Sequence, residues 1–273
     1  MPIPEMSTLI PLLLALIVIG GFAGVVGGLL GVGGGIVLVP AFFYAFHVLG
    51  YGGDQVMQVC VATSLATIVV TSIRSTTSHN RKGAVDWAVL RTWGPWLVGG
   101  AAVGVFIAAR VPSTVLQAVF GILAGLAGLW MAFGRDSARL GDAMPGEPVR
   151  GLLATATGFF SALMGIGGGT FGVPLMTLFG VPIHRAVGTA SGFGVLIAVP
   201  AVLGFLFVRI AEAPPWTIGA INLPAFLVVI GTTLLTTPLG VRLAHAMNPK
   251  PLKRAFAVFL TLVALNMLRK VIW

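Results

Sequence analysis

The sequence predicts an all-α polytopic membrane protein built from two inverted repeats. Each repeat is expected to hold a glycine-broken hairpin of short helices and three transmembrane helices. Three observations predict this. The chain of 273 residues is 57% hydrophobic and only 8% charged, whereas a soluble domain carries about 25% charged residues. Several apolar runs reach the roughly 20 residues that a helix needs to cross the hydrocarbon layer. A five-residue motif, Gly31-Val32-Gly33-Gly34-Gly35, returns as Gly165-Ile166-Gly167-Gly168-Gly169.

The apolar segments run over 8–30, 36–48, 56–78, 85–109, 113–133, 151–165, 170–180, 186–208, 217–244 and 252–272. At about 1.5 Å of rise per residue, segments 36–48, 151–165 and 170–180 are too short to span. Each of these three lies against a glycine cluster. The net charge of +9 would point to nucleic acid in a soluble protein. Here the basic residues sit mostly at the ends of apolar runs, where they anchor to headgroups and set topology. The expected partner is therefore the lipid bilayer and not nucleic acid. The lone cysteine, Cys60, lies inside an apolar segment, so it forms no intramolecular disulfide and belongs to no metal-ligand set. No cofactor is expected. Residues Met1–Thr8 carry Glu5 and no Lys or Arg, unlike the basic start of a cleaved signal peptide, so the first segment is expected to be retained.

The duplication extends beyond the glycines. Pro40 returns as Pro174 at the same offset. Ala62-Thr63-Ser64 is echoed by Thr189-Ala190-Ser191, Gly83-x-x-Asp86 by Gly219-x-x-Asn222, and Gly104 by Gly240. The order is kept throughout. The expected halves are 8–134 and 151–273, joined by the polar linker 135–150.

Positive charge decides how the glycine motifs sit. If each motif interrupted a single crossing helix, Lys and Arg would divide almost evenly between the two faces. If each motif is instead the tip of a hairpin, one face collects Arg81, Lys82, Arg135, Arg139, Arg150, Arg185, Arg242, Lys250, Lys253 and Arg254. The other face then holds only Arg110, Arg209, Arg269 and Lys270. Basic residues favour the cytoplasmic side, so the hairpin arrangement is preferred. Each half then makes an odd number of net crossings, and the second half enters from the opposite face. Both termini are expected outside, with the linker in the cytoplasm.

Glycines at membrane depth weaken a helix, and irregular backbone is tolerated there only where protein or a water-filled cavity covers it. Matched breaks in two halves point to a binding site near the midplane. Helices restarting at Ile36 and Thr170 would aim free N–H groups and positive dipole ends at that site, which favours an anion. Gly33, Gly34, Gly35, Gly167, Gly168, Gly169 and Thr170 are therefore candidate substrate contacts. Gly20, Gly24, Gly27, Gly28 and Gly31 fit tight helix packing better. The repeat-matched hydroxyls Thr63, Ser64, Thr189 and Ser191 join the candidates, because a hydroxyl donates to an oxyanion without burying a charge. Arg74 is suited to bidentate oxyanion binding, or else to snorkelling to headgroups. His79, Arg81 and Lys82 read as interfacial signals, and Asp86 and Asn222 as helix caps. No acidic residue lies clearly at mid-membrane, so no buried proton relay is evident.

Other chemistries fail on detail. Neither glycine cluster completes Gly-x-Gly-x-x-Gly, and no Lys follows either as a phosphate-binding loop requires. Gly188-Thr189-Ala190-Ser191-Gly192 lacks the Gly-x-Ser spacing of a serine nucleophile, and there is no HExxH. An enzyme is not expected.

Taken with their following prolines and the Ala-Thr-Ser and Thr-Ala-Ser echoes, the two glycine motifs make the chain resemble the sulfite exporter TauE/SafE family of membrane permeases over nearly its whole length. The resemblance implies a secondary transporter of the bacterial inner membrane that exports a small sulfur-containing oxyanion such as sulfite or an organosulfonate. Carriage of a carboxylate or thiosulfate in the uptake direction, and a non-transporting membrane subunit, are the alternatives. A metal-cation permease is opposed by the scarcity of acidic and histidine ligands in the spans. A homo-oligomer is compatible with all of this.

Overall fold

The computed structural model describes residues 6–133, 139–246 and 250–272. Arg135 and Asp136 of the expected linker lie outside them, as do residues 247–249. The described chain is a bundle of ten helices: α1 (Met6–Leu30), α2 (Gly35–Val48), α3 (Val56–Asn80), α4 (Trp87–Ala108), α5 (Ser113–Phe133), α6 (Val149–Met164), α7 (Gly169–Leu178), α8 (Ile183–Leu206), α9 (Leu223–Ala246) and α10 (Lys250–Ile272). Two short antiparallel strands, β1 (Thr217–Ile218) and β2 (Ile221–Asn222), precede α9. The ten helices fall on the ten apolar segments, with ends shifted by a few residues. Five of them, α1, α3, α5, α8 and α9, contain stretches long and apolar enough to cross a bilayer by length and composition. α4 and α10, of 22 and 23 residues, have the length as well.

Lipid dictates the outer surface. Leu14, Val18, Phe106, Leu126, Leu235 and Leu262 are all exposed, as expected when the surrounding solvent is hydrocarbon. Aromatic and branched side chains fill the interior. Trp93 of α4 stacks on Phe193 of α8 with ring centroids 5.9 Å apart, and both are buried.

Small residues set the pairing of helices. Lipid tails are as apolar as leucine, so close backbone packing supplies the attraction between spans. Along α1, Gly20 faces Val229 and Thr232, Gly24 faces Thr233, and Gly28 faces Thr237 and Val241. Residue numbers rise together, so α1 and α9 run parallel. A Cβ on Gly24 would stand 2.8 Å from the Thr233 Cα, and one on Gly240 2.9 Å from the Val25 carbonyl carbon. The same seam recurs between α4 and α6, where Gly100 meets Thr155, Gly104 meets Phe159 and Gly158 meets Leu97. The packing role read for Gly20, Gly24 and Gly28 is what these contacts display.

The remaining pairs run the other way. Thr76 and Ser72 of α3 face Ser191 and Gly194 of α8, so α3 and α8 are antiparallel. Gln117 of α5 donates to the Met267 carbonyl of α10 at 3.0 Å, while Gly128 lies against Ala257 and Thr261, so α5 and α10 are antiparallel too.

Candidate functional site

The two glycine motifs meet inside the bundle. Every residue from Gly31 to Pro40 and from Ser161 to Thr170 is buried. The Gly167 N–H donates to the Val32 carbonyl at 3.1 Å. Gly169 packs against the backbone of Gly31 and Val32, and Gly35 packs against Gly165 and Ile166. A Cβ on Gly169 would stand 2.7 Å from the Val32 nitrogen, and one on Gly35 2.9 Å from the Ile166 Cα. Only glycine allows two backbones to cross this closely.

The breaks differ in detail. Gly31, Gly33 and Gly34 take left-handed φ values of +68°, +71° and +84°, whereas in the second motif Gly165 alone does, at +68°. After each break a short helix begins inside the protein. Gly35 of α2 lies by Ile68, and Gly165 touches both Val39 of α2 and Val61 of α3, so α2 runs antiparallel to α3. Gly168 and Gly172 lie by Phe193 and Ala190, so α7 runs antiparallel to α8. Because α3 and α8 are themselves antiparallel, α2 and α7 leave the crossing in opposite directions. The first-turn N–H groups of a helix lack intrahelical acceptors, so two sets of donors with positive dipole ends open at one place. Pro40 and Pro174 lie inside the two short helices and interrupt their hydrogen-bond ladders at equivalent points.

Hydroxyls surround the crossing. Ser64 donates to the Gly165 carbonyl at 2.7 Å, and Thr71 to the Gly33 carbonyl at 3.1 Å. Ser191 donates to the Gly188 carbonyl at 2.6 Å and lies 3.0 Å from the Thr76 hydroxyl. Among the described residues, the buried hydroxyls of Ser72, Ser75, Ser161 and Thr170 have no hydrogen-bond partner. Ser72 flanks the first motif, with its Oγ 3.1 Å from where a Cβ of Gly33 would stand, and Ser75 follows it on the buried face of α3. Thr170 is the second residue of α7, and Ser161 lies in the last turn of α6. A buried hydroxyl without a partner costs free energy, so this set is conspicuous beside two open helix ends.

Thr63 and Thr189 serve a different purpose. The Thr63 Oγ1 accepts the Asn222 N–H at 2.9 Å, and the Thr189 Oγ1 accepts the Asp86 N–H at 2.9 Å. Each threonine thus pins the start of a helix in the other half. Asp86 in turn caps α4 through the Ala88 and Val89 N–H groups and pairs with Arg185 at 3.0 Å, while Asn222 accepts the Ala225 N–H at 3.1 Å. Capping is therefore what Asp86 and Asn222 do.

Two basic residues stand elsewhere than at the crossing. Arg74 lies on the exposed face of α3 beside exposed Ile73, away from the motifs. His79, read as an interfacial signal, is fully buried: its Nε2 lies 3.0 Å from the Gly28 carbonyl and its Nδ1 3.2 Å from His245 Nε2. The last turn of α3 is covered by α1 and α9, a packing that the order of residues along α3 does not reveal. Arg81 and Lys82 are exposed, as an interfacial pair would be. Sequence reasoning missed Ser75 and Ser161. Ser161 is a lone hydroxyl in the apolar run 158–164, and Ser75 sits in the hydroxyl-rich run 71–78, where no match between the repeats distinguishes it. Among the described residues, no group of three His, Cys, Asp or Glu side chains is placed to hold a metal ion.

An apolar-skinned bundle of crossing helices, with two short helices that start in its interior, defines a multi-pass membrane protein of the transporter class. Residues 16–267 match the sulfite exporter TauE/SafE family, and the chain belongs to that family. The resemblance carried by the glycine motifs is thereby borne out. A probable membrane transporter protein of Haemophilus influenzae is 30% identical over 263 residues, covering 94% of this chain and 98% of its own. One of Methanocaldococcus jannaschii is 27% identical over 265 residues, covering 97% of each chain. One of Bacillus subtilis is 27% identical over 197 residues, covering 64% of this chain and 71% of its own. No solved structure matches the chain. The protein is accordingly a membrane transporter, acting in a lipid bilayer on a small-molecule substrate, and its family is not one of enzymes.

Proposed function

We propose that this transporter exports a small sulfur-containing oxyanion, such as sulfite or an organosulfonate, and binds it at the crossing of the two glycine motifs. The observation that carries this reading is the pair of helix first turns opening at one buried point beside unpartnered hydroxyls. Backbone N–H groups, dipole ends and neutral hydroxyls suit a compact anion and do not suit a cation. In the proposed site Gly33, Gly34, Gly35, Gly167, Gly168 and Gly169 provide close backbone approach. Thr170 provides an unpartnered hydroxyl, Ser64 and Ser191 provide theirs by turning from the Gly165 and Gly188 carbonyls, and Thr63 and Thr189 hold the frame. Arg74 meets headgroups.

The halves 8–134 and 151–273 act as inverted repeats in this reading. Support comes from the antiparallel run of α3 against α8 and of α5 against α10, from the two like seams α1/α9 and α4/α6, and from the paired Thr63–Asn222 and Thr189–Asp86 contacts. α2 faces one half of the bundle and α7 the other, which suits access from alternating sides. An inside-negative potential favours outward movement of an anion by about 2.3 kcal/mol per charge per 100 mV. Export can then run as a uniport from the bacterial cytoplasm, with both termini outside and the linker 135–150 inside.

Flux of labelled sulfite, taurine-like sulfonates, thiosulfate and small carboxylates in proteoliposomes tests the proposal. Sulfite or sulfonate flux that follows an imposed potential is expected. Flux of none of these anions contradicts it. Reporters fused at either terminus test the orientation, and a cytoplasmic C-terminus would overturn it.

A further inference from the structure

A groove of about 540 Å³ lies between the ends of α4 and α8, lined by Ala102, Val105, Phe106, Arg110, Gly204 and Arg209 among others. Gly94 meets Leu196 and Gly204 meets Val105, so α4 and α8 run parallel and both end at one membrane face. Arg110 follows the end of α4 and Arg209 the end of α8, and both line this one groove. The floor is apolar, and its walls belong to the outer surface of the bundle: Phe106 is 60% exposed and Phe207 87%. The groove therefore opens to acyl chains and not to the interior crossing.

Arg110 is held in place. Its Nη1 donates to the Phe106 carbonyl at 2.7 Å, and its Cζ lies 3.5 Å from the centre of the Phe106 ring. Among the described residues, neither Arg110 nor Arg209 has a carboxylate within ion-pair distance. A single arginine at a helix end is ordinary headgroup anchoring. Two in one groove, one of them fixed by an aromatic ring and neither neutralised, above an apolar trough some 12 Å long at helical rise, form a complementary shape for a phosphodiester with its chains.

We propose that this groove binds an anionic phospholipid. The headgroup phosphate sits between Arg110 and Arg209, whose forked donors suit phosphate, and an acyl chain lies along Ala102, Val105 and Gly204. Basic pockets between transmembrane helices bind acidic headgroups in this manner. The inference does not depend on the identity of the transported anion.

The test is native mass spectrometry of the purified full chain, released from micelles containing phosphatidylglycerol and phosphatidylcholine in equal amounts. Preferential retention of phosphatidylglycerol is expected. R110Q combined with R209Q should reduce that preference about thirtyfold. Both side chains are exposed, so the double variant should fold, as its unchanged elution profile would confirm. Ala102→Trp should weaken phosphatidylglycerol retention without touching either charge, because it fills the acyl trough. Equal retention of the two lipids, an undiminished preference in the double variant, or full competition by inorganic phosphate would each overturn the proposal. Dimers lost on Ala102→Trp without any lipid dependence would overturn it as well, by assigning the groove to a second copy of the chain.

Discussion

A single methyl group at Gly169 should disable transport. Gly169 is the first residue of α7 and packs on the backbone of Gly31 and Val32. An added Cβ would stand 2.5 Å from the Gly31 carbonyl carbon and 2.7 Å from the Val32 nitrogen, where ordinary contact begins near 3.4 Å. Both neighbours are main chain and cannot rotate aside, so the motifs must separate. Overpacking costs about 1–3 kcal/mol, and rigid backbone on both sides places Gly169→Ala at the upper end. About 3 kcal/mol against the crossed arrangement corresponds to a factor of ~10² in its population. Gly99 in the middle of α4 is the matched control, because an added Cβ there has nothing within 4 Å. Gly99→Ala should gain up to about 1 kcal/mol of helix propensity. Thermal unfolding of the purified proteins and anion flux in proteoliposomes read both effects. Gly169→Ala should lower the melting temperature by roughly 6–12 °C and reduce flux by at least tenfold, while Gly99→Ala should match or exceed the parent. If the two variants behave alike in both assays, the close crossing is not what the glycines provide.

Thr170→Val should separate stability from function. The Thr170 hydroxyl is buried without a partner, so its removal should leave the melting temperature unchanged or raised, while flux falls. A loss of stability with flux intact would mean that the hydroxyl is structural. Thr63→Val and Thr189→Val should do the reverse. Each strands one N–H, on Asn222 or Asp86, at about 1–3 kcal/mol, so the two should lower the melting temperature by similar amounts, and calorimetry checks the match. Asp86→Ala should cost about 1 kcal/mol through loss of the α4 cap, with little added by the Arg185 pair, whose arginine is half exposed. Denaturant titration of Asp86→Ala against Arg185→Gln separates the two contributions, and a larger effect from Arg185→Gln would reverse the assignment.

Lipid as solvent made much of the fold legible. A span must be a continuous apolar helix because the bilayer offers its backbone no partner, so segment 56–78 became α3 (Val56–Asn80) and segment 113–133 became α5 with the same bounds. The short segments 36–48 and 170–180 emerged as α2 and α7 because four glycines in five residues stop a helix. Partnership between helices was less legible. That α1 lies on α9 and α4 on α6 depends on contacts between residues about 210 and about 55 positions apart, and small residues announce a seam without naming its other side. His79 shows the cost of this. At the end of an apolar run it reads as a headgroup signal, yet α1 and α9 close over it. Thr63 and Thr189 were legible as a matched pair. That each hydroxyl holds the start of a helix in the other half was not, because that contact exists only after the halves interlock. Arg110 and Arg209 were legible as charges on the sparsely basic face, and their convergence on one groove required α4 and α8 to be laid side by side.

The most direct test of the account is whether a transported anion shields the crossing. Cys60 is the chain's one cysteine and is fully buried, so a Cys60→Ala background carrying Thr170→Cys offers a single reporter thiol. Its rate of modification by a membrane-impermeant thiol reagent would be measured in proteoliposomes, from each side, with and without an organosulfonate, which unlike sulfite does not itself consume the reagent. The account predicts a thiol that is reached during transport and protected by the transported anion. A thiol that reacts from neither face while flux continues, or that reacts at the same rate whatever anion is present, would contradict it.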